Sequence, residues 1–305
     1  MSSEQRTRLD AMLRRPQPEQ PPSVEEMRAG FRELMAGMAM PDGFRAEPTT
    51  LGGRPALRVE PEAGPRAGTI LYLHGGSWVV GSPEITLCLT ANLVVRTGFT
   101  AYSVDYRLAP EHPFPAAIED TVAAYRELLE RGVDPSTIVF AGDSAGGGLS
   151  VTGLLAARDA GLPMPAGILT FSAGLDATRT GASMAGKEGI DPIFTREDFR
   201  HTAPMYLGGA DPNQPLLSPA VLGDLTGFPP LLLQVGGNEI LLDDSTRLAV
   251  RARDAGVDVT LDVTAGVPHV FQVFPDILDE AGEALDRAAL FLTQRVRSQQ
   301  KQGRE

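Results

Sequence analysis

Cysteine is almost absent: Cys88 stands alone among 305 residues, so an intramolecular disulfide is impossible and no Cys-based zinc site is available. Basic residues are also scarce, 27 against 39 acidic ones, for a net charge of −12. A surface of that sign repels phosphate backbones and anionic lipid heads, which argues against nucleic acid or membrane as a partner. No apolar run reaches the roughly 18 residues that a membrane span needs. The N-terminal stretch MSSEQRTRLDAMLRRP has no apolar core behind its basic residues, so the expectation is no secretory signal and a cytoplasmic protein. With 42% hydrophobic residues the chain is too apolar for disorder, and it is long enough to bury a large core. Its 33 glycines and 25 prolines imply many turns without a low-complexity composition.

The first 50 residues read differently from the rest. Pro16, Pro18, Pro21 and Pro22 separate helical patterns at 4–14 and 23–38. On the second, Phe31, Leu34, Met35 and Met38 share one face, which suits either a packing helix or a lid. From about residue 55, apolar runs at 69–74, 100–105, 137–142, 167–172 and 231–236 appear, with helical patterns at 84–96, 116–131 and 145–160 bridging most of them. That alternation predicts an α/β fold, a mostly parallel central sheet flanked by helices on both faces. Residues 175–228 break the rhythm with Gly, Pro and a helix at 196–207, and read as an insertion above the sheet. Regular order resumes at Pro230, with a strand at 258–263 and a last helix near 276–297. The expected organisation is an N-terminal helical cap segment over 1–50 and a catalytic domain over 51–305, to whose cap the insertion contributes. Ligands of such sheets sit at the carboxyl ends of the strands, so the chemistry is sought there.

The run at 137–142 leads into Gly142-Asp143-Ser144-Ala145-Gly146-Gly147 and then a helical pattern. This is G-x-S-x-G in strand–turn–helix context. A serine on so sharp a turn is held strained and exposed at a helix N-terminus, where the dipole favours developing negative charge. Ser144 is therefore the candidate nucleophile. The run at 69–74 ends in His74-Gly75-Gly76-Ser77-Trp78. Its glycines allow backbone N–H groups to turn toward a reacting carbonyl, and the amide after Ser144 can add another. Gly75, Gly76 and Ala145 are the expected oxyanion donors, while His74 reads as an organiser of the loop.

With Asp105-Tyr106-Arg107-Leu108-Ala109-Pro110-Glu111, these motifs resemble the bacterial hormone-sensitive-lipase family of α/β-hydrolases. The resemblance runs over about residues 55–290 and extends through the His269 region. It implies an α/β-hydrolase core, an N-terminal helical cap and carboxylic-ester hydrolysis without a cofactor or metal. Ser77 departs from the glycine usual there.

Of four histidines, His112 lies in a rigid proline-rich turn and His201 in the middle of the insertion's helix. His269 follows the 258–263 strand and a loop, last in the order serine, acid, histidine expected of this fold, and is the candidate base. For the acid, Glu239 is immediately past the 231–236 strand. Asp243 and Asp244 stand where the next helix begins, and carboxylates there cap free N–H groups. The family's Asp-x-Leu-x-Asp pattern also places the acid at Glu239, a glutamate where aspartate is usual, with Asp243 as the alternative. Trp78, Met205 and Tyr206 are candidate pocket walls or ordinary packing. The function expected is a serine carboxylesterase for small, short-acyl esters. A lactone hydrolase with the same triad is the alternative, because residues 81–92 resemble monoterpene ε-lactone hydrolases of the family. A non-catalytic small-ligand receptor on the same fold ranks below both. A homodimer through the edge strand near 258–263 is implied by the resemblance alone.

Overall fold

Two consecutive glycines turn the first corner of the sheet. Gly52 and Gly53 both have positive φ, 62° and 72°, as a two-residue hairpin loop of the primed type requires. They join β1 (Phe44–Leu51) to β2 (Arg54–Pro61) in an antiparallel pair with Leu51 opposite Arg54. The sequence reading has no strand over 44–61, and its boundary at residue 50 falls inside this hairpin. Pro48 lies in β1, which is tolerable because β1 is the sheet's edge. The computed structural model describes residues 2–14 and 20–302; Pro16 and Pro18 of the proline-rich break lie outside them.

Six further strands complete the sheet: β3 (Thr69–Leu73), β4 (Thr100–Val104), β5 (Ile138–Asp143), β6 (Gly167–Phe171), β7 (Leu231–Gly236) and β8 (Val259–Thr264). Their order is β1-β2-β4-β3-β5-β6-β7-β8, and every pairing from β4 to β8 is parallel. β5, β6 and β7 are buried along their whole length, as expected for strands covered on both faces. Helices α3 (Leu87–Thr97) and α10 (Asp279–Gln302) cover one face, where Leu89, Leu93 and Leu292 join Ile70 and Tyr72 in one core. Helices α4 (Ala116–Glu130), α5 (Ser144–Asp159) and α9 (Leu242–Asp254) cover the other, with Tyr125, Leu149 and Leu248 around Leu71 and Phe140. The chain turns to opposite sides after β3, toward β4 and then β5, which makes their carboxyl ends the natural crevice.

Five further helices come from two segments. α1 (Ser2–Leu13) and α2 (Val24–Ala36) come from the N-terminal segment; α6 (Ser183–Gly186), α7 (Arg196–Leu207) and α8 (Pro219–Leu222) from the insertion. Reciprocal capping boxes start α2 at Ser23/Glu26 and α7 at Thr195/Asp198, satisfying N–H groups that a helix end otherwise leaves free. Gly208, with φ of 58°, stops α7. Arg28 of α2 donates to the Val79 and Ala109 carbonyls (3.0 and 3.2 Å) and pairs with Glu111. His201 of α7 lies 2.9 Å from the Pro22 carbonyl through Nε2. Among the described residues, no helix is long and apolar enough to cross a membrane.

Candidate active site

The turn from β5 into α5 is tight enough to dictate its own sequence. A Cβ at Gly142 would stand 2.5 Å from the Gly146 carbonyl, and one at Gly146 would stand 1.9 Å from the Leu73 oxygen. Only glycine fits at either place. Ser144 sits between them at a φ of 50°, a left-handed conformation that serine rarely adopts. The turn aims its hydroxyl at His269, whose Nε2 is 3.0 Å from Ser144 Oγ.

On the far side of the imidazole, Nδ1 hydrogen-bonds Glu239 Oε2. A carboxylate there keeps the proton on Nδ1 and leaves Nε2 as an acceptor for the serine hydroxyl. Glu239 is itself fixed: its Oε1 accepts from Ser172 Oγ (2.9 Å) and the Gly236 N–H (2.7 Å). Ser172 also accepts from the Val270 N–H at 2.9 Å, so one buried hydroxyl ties the glutamate to the histidine's loop. Burial alone would lower the His269 pKa. The Glu239 charge and hydrogen bond, with Asp191 and Asp143 behind them, instead carry it above the usual imidazole value. Phe194 meets the ring edge-on, centroids 4.9 Å apart.

Asp243 takes no part in this chain of contacts. Its Oδ2 accepts the Ser183 N–H at 2.9 Å, and Asp244 accepts the Leu175 and Asp176 N–H groups at 2.7 and 2.9 Å. Both carboxylates are spent holding the insertion's backbone. The expected pairing of Glu239 with His269 is the one that the fold brings together.

The glycine loop departs from expectation at one residue. The Gly75 N–H donates to Asp143 Oδ1 (3.0 Å), which also accepts from the Tyr72 hydroxyl (2.7 Å), so Gly75 is committed before any substrate arrives. The next three residues, Gly76, Ser77 and Trp78, all have positive φ. Gly76 and Ser77 line the same cavity as Ser144. Among the described residues their N–H groups have no hydrogen-bond acceptor. Ala145 is in the first turn of α5, where the N–H has no partner within the helix. His74 keeps the loop in shape: it stacks on Tyr106 at 4.2 Å and hydrogen-bonds the Gly75 carbonyl at 2.7 Å. Burial pushes its pKa down to about 4, so it is neutral. His112 is exposed, and His201 serves the α7 contact described above.

The cavity at Ser144 measures about 320 Å³ and is mainly apolar, with Phe31, Leu34 and Met35 of α2 facing Ile193 and Phe194 of the insertion. Trp78 and Tyr206 do not line it. They stack on each other at 4.2 Å, and Met205 packs in the same apolar cluster with Val79 and Leu217. Met205 and Tyr206 of α7 and Trp78 of the glycine loop thus pack where these two segments meet, with the aromatic pair satisfied face to face. Ser172, Phe194, Asp143 and Asp191 are site neighbours that sequence reasoning did not single out. Asp191-Pro192 just ahead of the Thr195-x-x-Asp198 capping signal was the available hint.

A family profile described as the alpha/beta hydrolase fold matches residues 70–273. The chain is 42% identical over 272 residues to an acetyl-hydrolase of Streptomyces hygroscopicus, covering 88% of this chain and 89% of that one. It is 37% identical over 225 residues to an esterase of Acinetobacter venetianus, covering 73% and 74% of the two chains. Among solved structures, an esterase from the bacterial hormone-sensitive lipase (HSL) family superposes with a TM-score of 0.92 at 40% identity, over 97% of this chain and 99% of that one.

Proposed function

Since the chain belongs to the alpha/beta hydrolase family, among its bacterial hormone-sensitive-lipase carboxylic ester hydrolases, we propose that it cleaves small carboxylic esters through an acyl-enzyme on Ser144. The observation that carries the reading is the unbroken relay from Ser144 Oγ through both nitrogens of His269 to Glu239. Ser144 attacks the acyl carbonyl while His269 Nε2 takes its proton, and Glu239 holds the tautomer and stabilises the imidazolium. The tetrahedral oxyanion is met by the N–H groups of Gly76 and Ala145, with Ser77 in the place first given to Gly75. His269 then protonates the leaving alcohol, and a water activated by the same base releases the acid.

The cavity volume lies at the lower end of the roughly 300–1,000 Å³ usual for small-ligand sites, which supports short acyl chains. Its walls come from α2 and the insertion, which supports reading both as a cap. A lactone would pass through the same steps. Cys88 and Leu89, from the stretch that resembles lactone hydrolases, pack in the core beneath the sheet, so the open-chain ester is the reading preferred. Exposed Leu261 and Val263 on edge strand β8 favour a homodimer through that edge. Sedimentation of a Leu261→Lys/Val263→Lys variant as a monomer, beside a dimeric wild type, supports it.

The deciding experiment is covalent labelling by a serine-directed phosphonate, located by peptide mass mapping, with rates over p-nitrophenyl esters of increasing acyl length. Labelling at Ser144 and loss of about 10⁴–10⁶ in kcat in Ser144→Ala are expected. Near-normal turnover by that variant would remove the proposal.

A further inference from the structure

Glu239 is not the only carboxylate whose charge acts on His269. Asp191, in the insertion, is buried, 5% exposed, and every oxygen is used. Its Oδ1 accepts the Ile193 and Phe194 N–H groups at 2.8 and 3.0 Å. Its Oδ2 accepts the Ile240 N–H at 2.9 Å. Ile240 is the residue next to Glu239, and Phe194 is the ring lying edge-on against His269. A single side chain thus grips the backbone beside the triad acid and the backbone beside the ring that packs on the base.

We infer that Asp191 is a positioning residue for the hydrolysis: it fixes the Glu239–His269 pair through Ile240 and Phe194 and adds a further negative charge behind the imidazolium. The inference rests on the reading of Ser144, His269 and Glu239 given above. The charged groups around the base are Glu239 from the loop after β7, Asp143 from the end of β5 and Asp191 from the insertion. Arg14 of the N-terminal segment faces Asp191 from outside, where it also holds the Gly189 and Ile190 carbonyls at 3.2 and 3.1 Å. Arg14 is largely solvated and already paired with Asp10, so it offsets the Asp191 charge only in part. The imidazole is neutral in the resting enzyme and cationic in the tetrahedral transition state. A buried anion nearby therefore lowers the barrier, and also raises the pH at which the base becomes available.

Two variants separate that role from mere support of a loop. Asp191→Asn removes the charge and, because both carboxylate oxygens accept backbone N–H groups, its NH₂ also gives up at least one of those contacts, so the readout is the pH limb, which follows the charge. The acid limb of its kcat/KM–pH profile is expected to move down by at least about half a pH unit. Its plateau kcat should fall about tenfold with KM changed by less than about threefold. Asp191→Glu restores the charge, and its limb is expected to return to the wild-type position. An unmoved limb in Asp191→Asn, or a limb in Asp191→Glu that moves along with it, overturns the inference. Should Asp191→Asn not fold, Phe194→Leu carries the test. It leaves the carboxylate in place, so the limb stays where it was; a displaced limb would show that the ring, not the charge, sets it. Ser144→Ala is assayed beside these. Residual turnover there sinks the nucleophile assignment itself, whereas a dead Ser144→Ala with an unmoved Asp191→Asn limb sinks only the role of Asp191.

Discussion

Replacing Glu239 with glutamine keeps the side chain's length and removes its charge, and the surroundings dictate how the new amide must lie. The Oε1 position receives two donors, Ser172 Oγ at 2.9 Å and the Gly236 N–H at 2.7 Å. An amide NH₂ cannot stand there, so the glutamine oxygen takes that place and its NH₂ faces His269 Nδ1. Nδ1 must then accept, which moves the ring proton to Nε2, and a protonated Nε2 cannot take the proton of Ser144. The fault is a wrong tautomer in an intact site. Its expected size is about 10⁴ in kcat, or about 5 kcal/mol of barrier, with KM nearly unchanged. Stopped assays with p-nitrophenyl acetate on wild type, Glu239→Gln and Asp243→Asn measure it, with thermal melting run in parallel. Asp243→Asn is expected to keep activity within about threefold and to lose about 1 kcal/mol of stability, since Asp243 serves the Ser183 N–H. Glu239→Gln within tenfold of wild type, or the reverse pattern between the two variants, would refute the reasoning.

Three further outcomes follow from the same contacts. His269 acts as a base only when neutral, and its pKa is raised, so the acid limb of kcat/KM should have its midpoint above about 6.5; a midpoint at or below about 6 in the pH–rate profile contradicts this. His74 is held neutral with a pKa of about 4, so below its unfolded value of about 6.5 the unfolded chain binds the extra proton. Stability from His74 is therefore lost as pH falls from about 6.5 toward 4. Urea unfolding at pH 7 and 4.5 should show a difference about 2 kcal/mol smaller in His74→Gln. Gly75→Ala puts a Cβ 2.2 Å from Asp143 Oδ2 and should cost about 1–3 kcal/mol by melting, together with most activity; a fully active, equally stable variant would show that the loop yields.

The central strands and the proposed relay of Ser144, His269 and Glu239 could be read from the sequence because their signals are local. Buried parallel strands read as apolar runs, and a glycine-flanked serine after a strand has few other uses. The β1–β2 hairpin escaped because β1 is an edge strand with Pro48 and many exposed side chains, and only Gly52-Gly53 marks its turn. The Gly75 amide could not be judged from the motif, since the acceptor that occupies it, Asp143, is 68 residues away. Trp78 and Tyr206 could be read either as cavity walls or as packing for a similar reason: each looks like a binding aromatic until the fold stacks one on the other. Phe194 and Asp191 come to the base from an insertion whose sequence carries no catalytic signature.

The two halves of the roof over the site are fastened in unlike ways. The insertion is pinned to the acid's own loop, by Asp191 at Ile240 and by Ser183 at Asp243, so remodelling it to admit a new substrate disturbs the proton relay as well. Helix α2 offers Phe31, Leu34 and Met35 to the same space, yet is fastened by Arg28 to the rim of the glycine loop and, among the described residues, makes no hydrogen bond to Ser144, His269 or Glu239. Diversification of substrate preference, by drift or by directed evolution, therefore has its freer route through the amino-terminal helix.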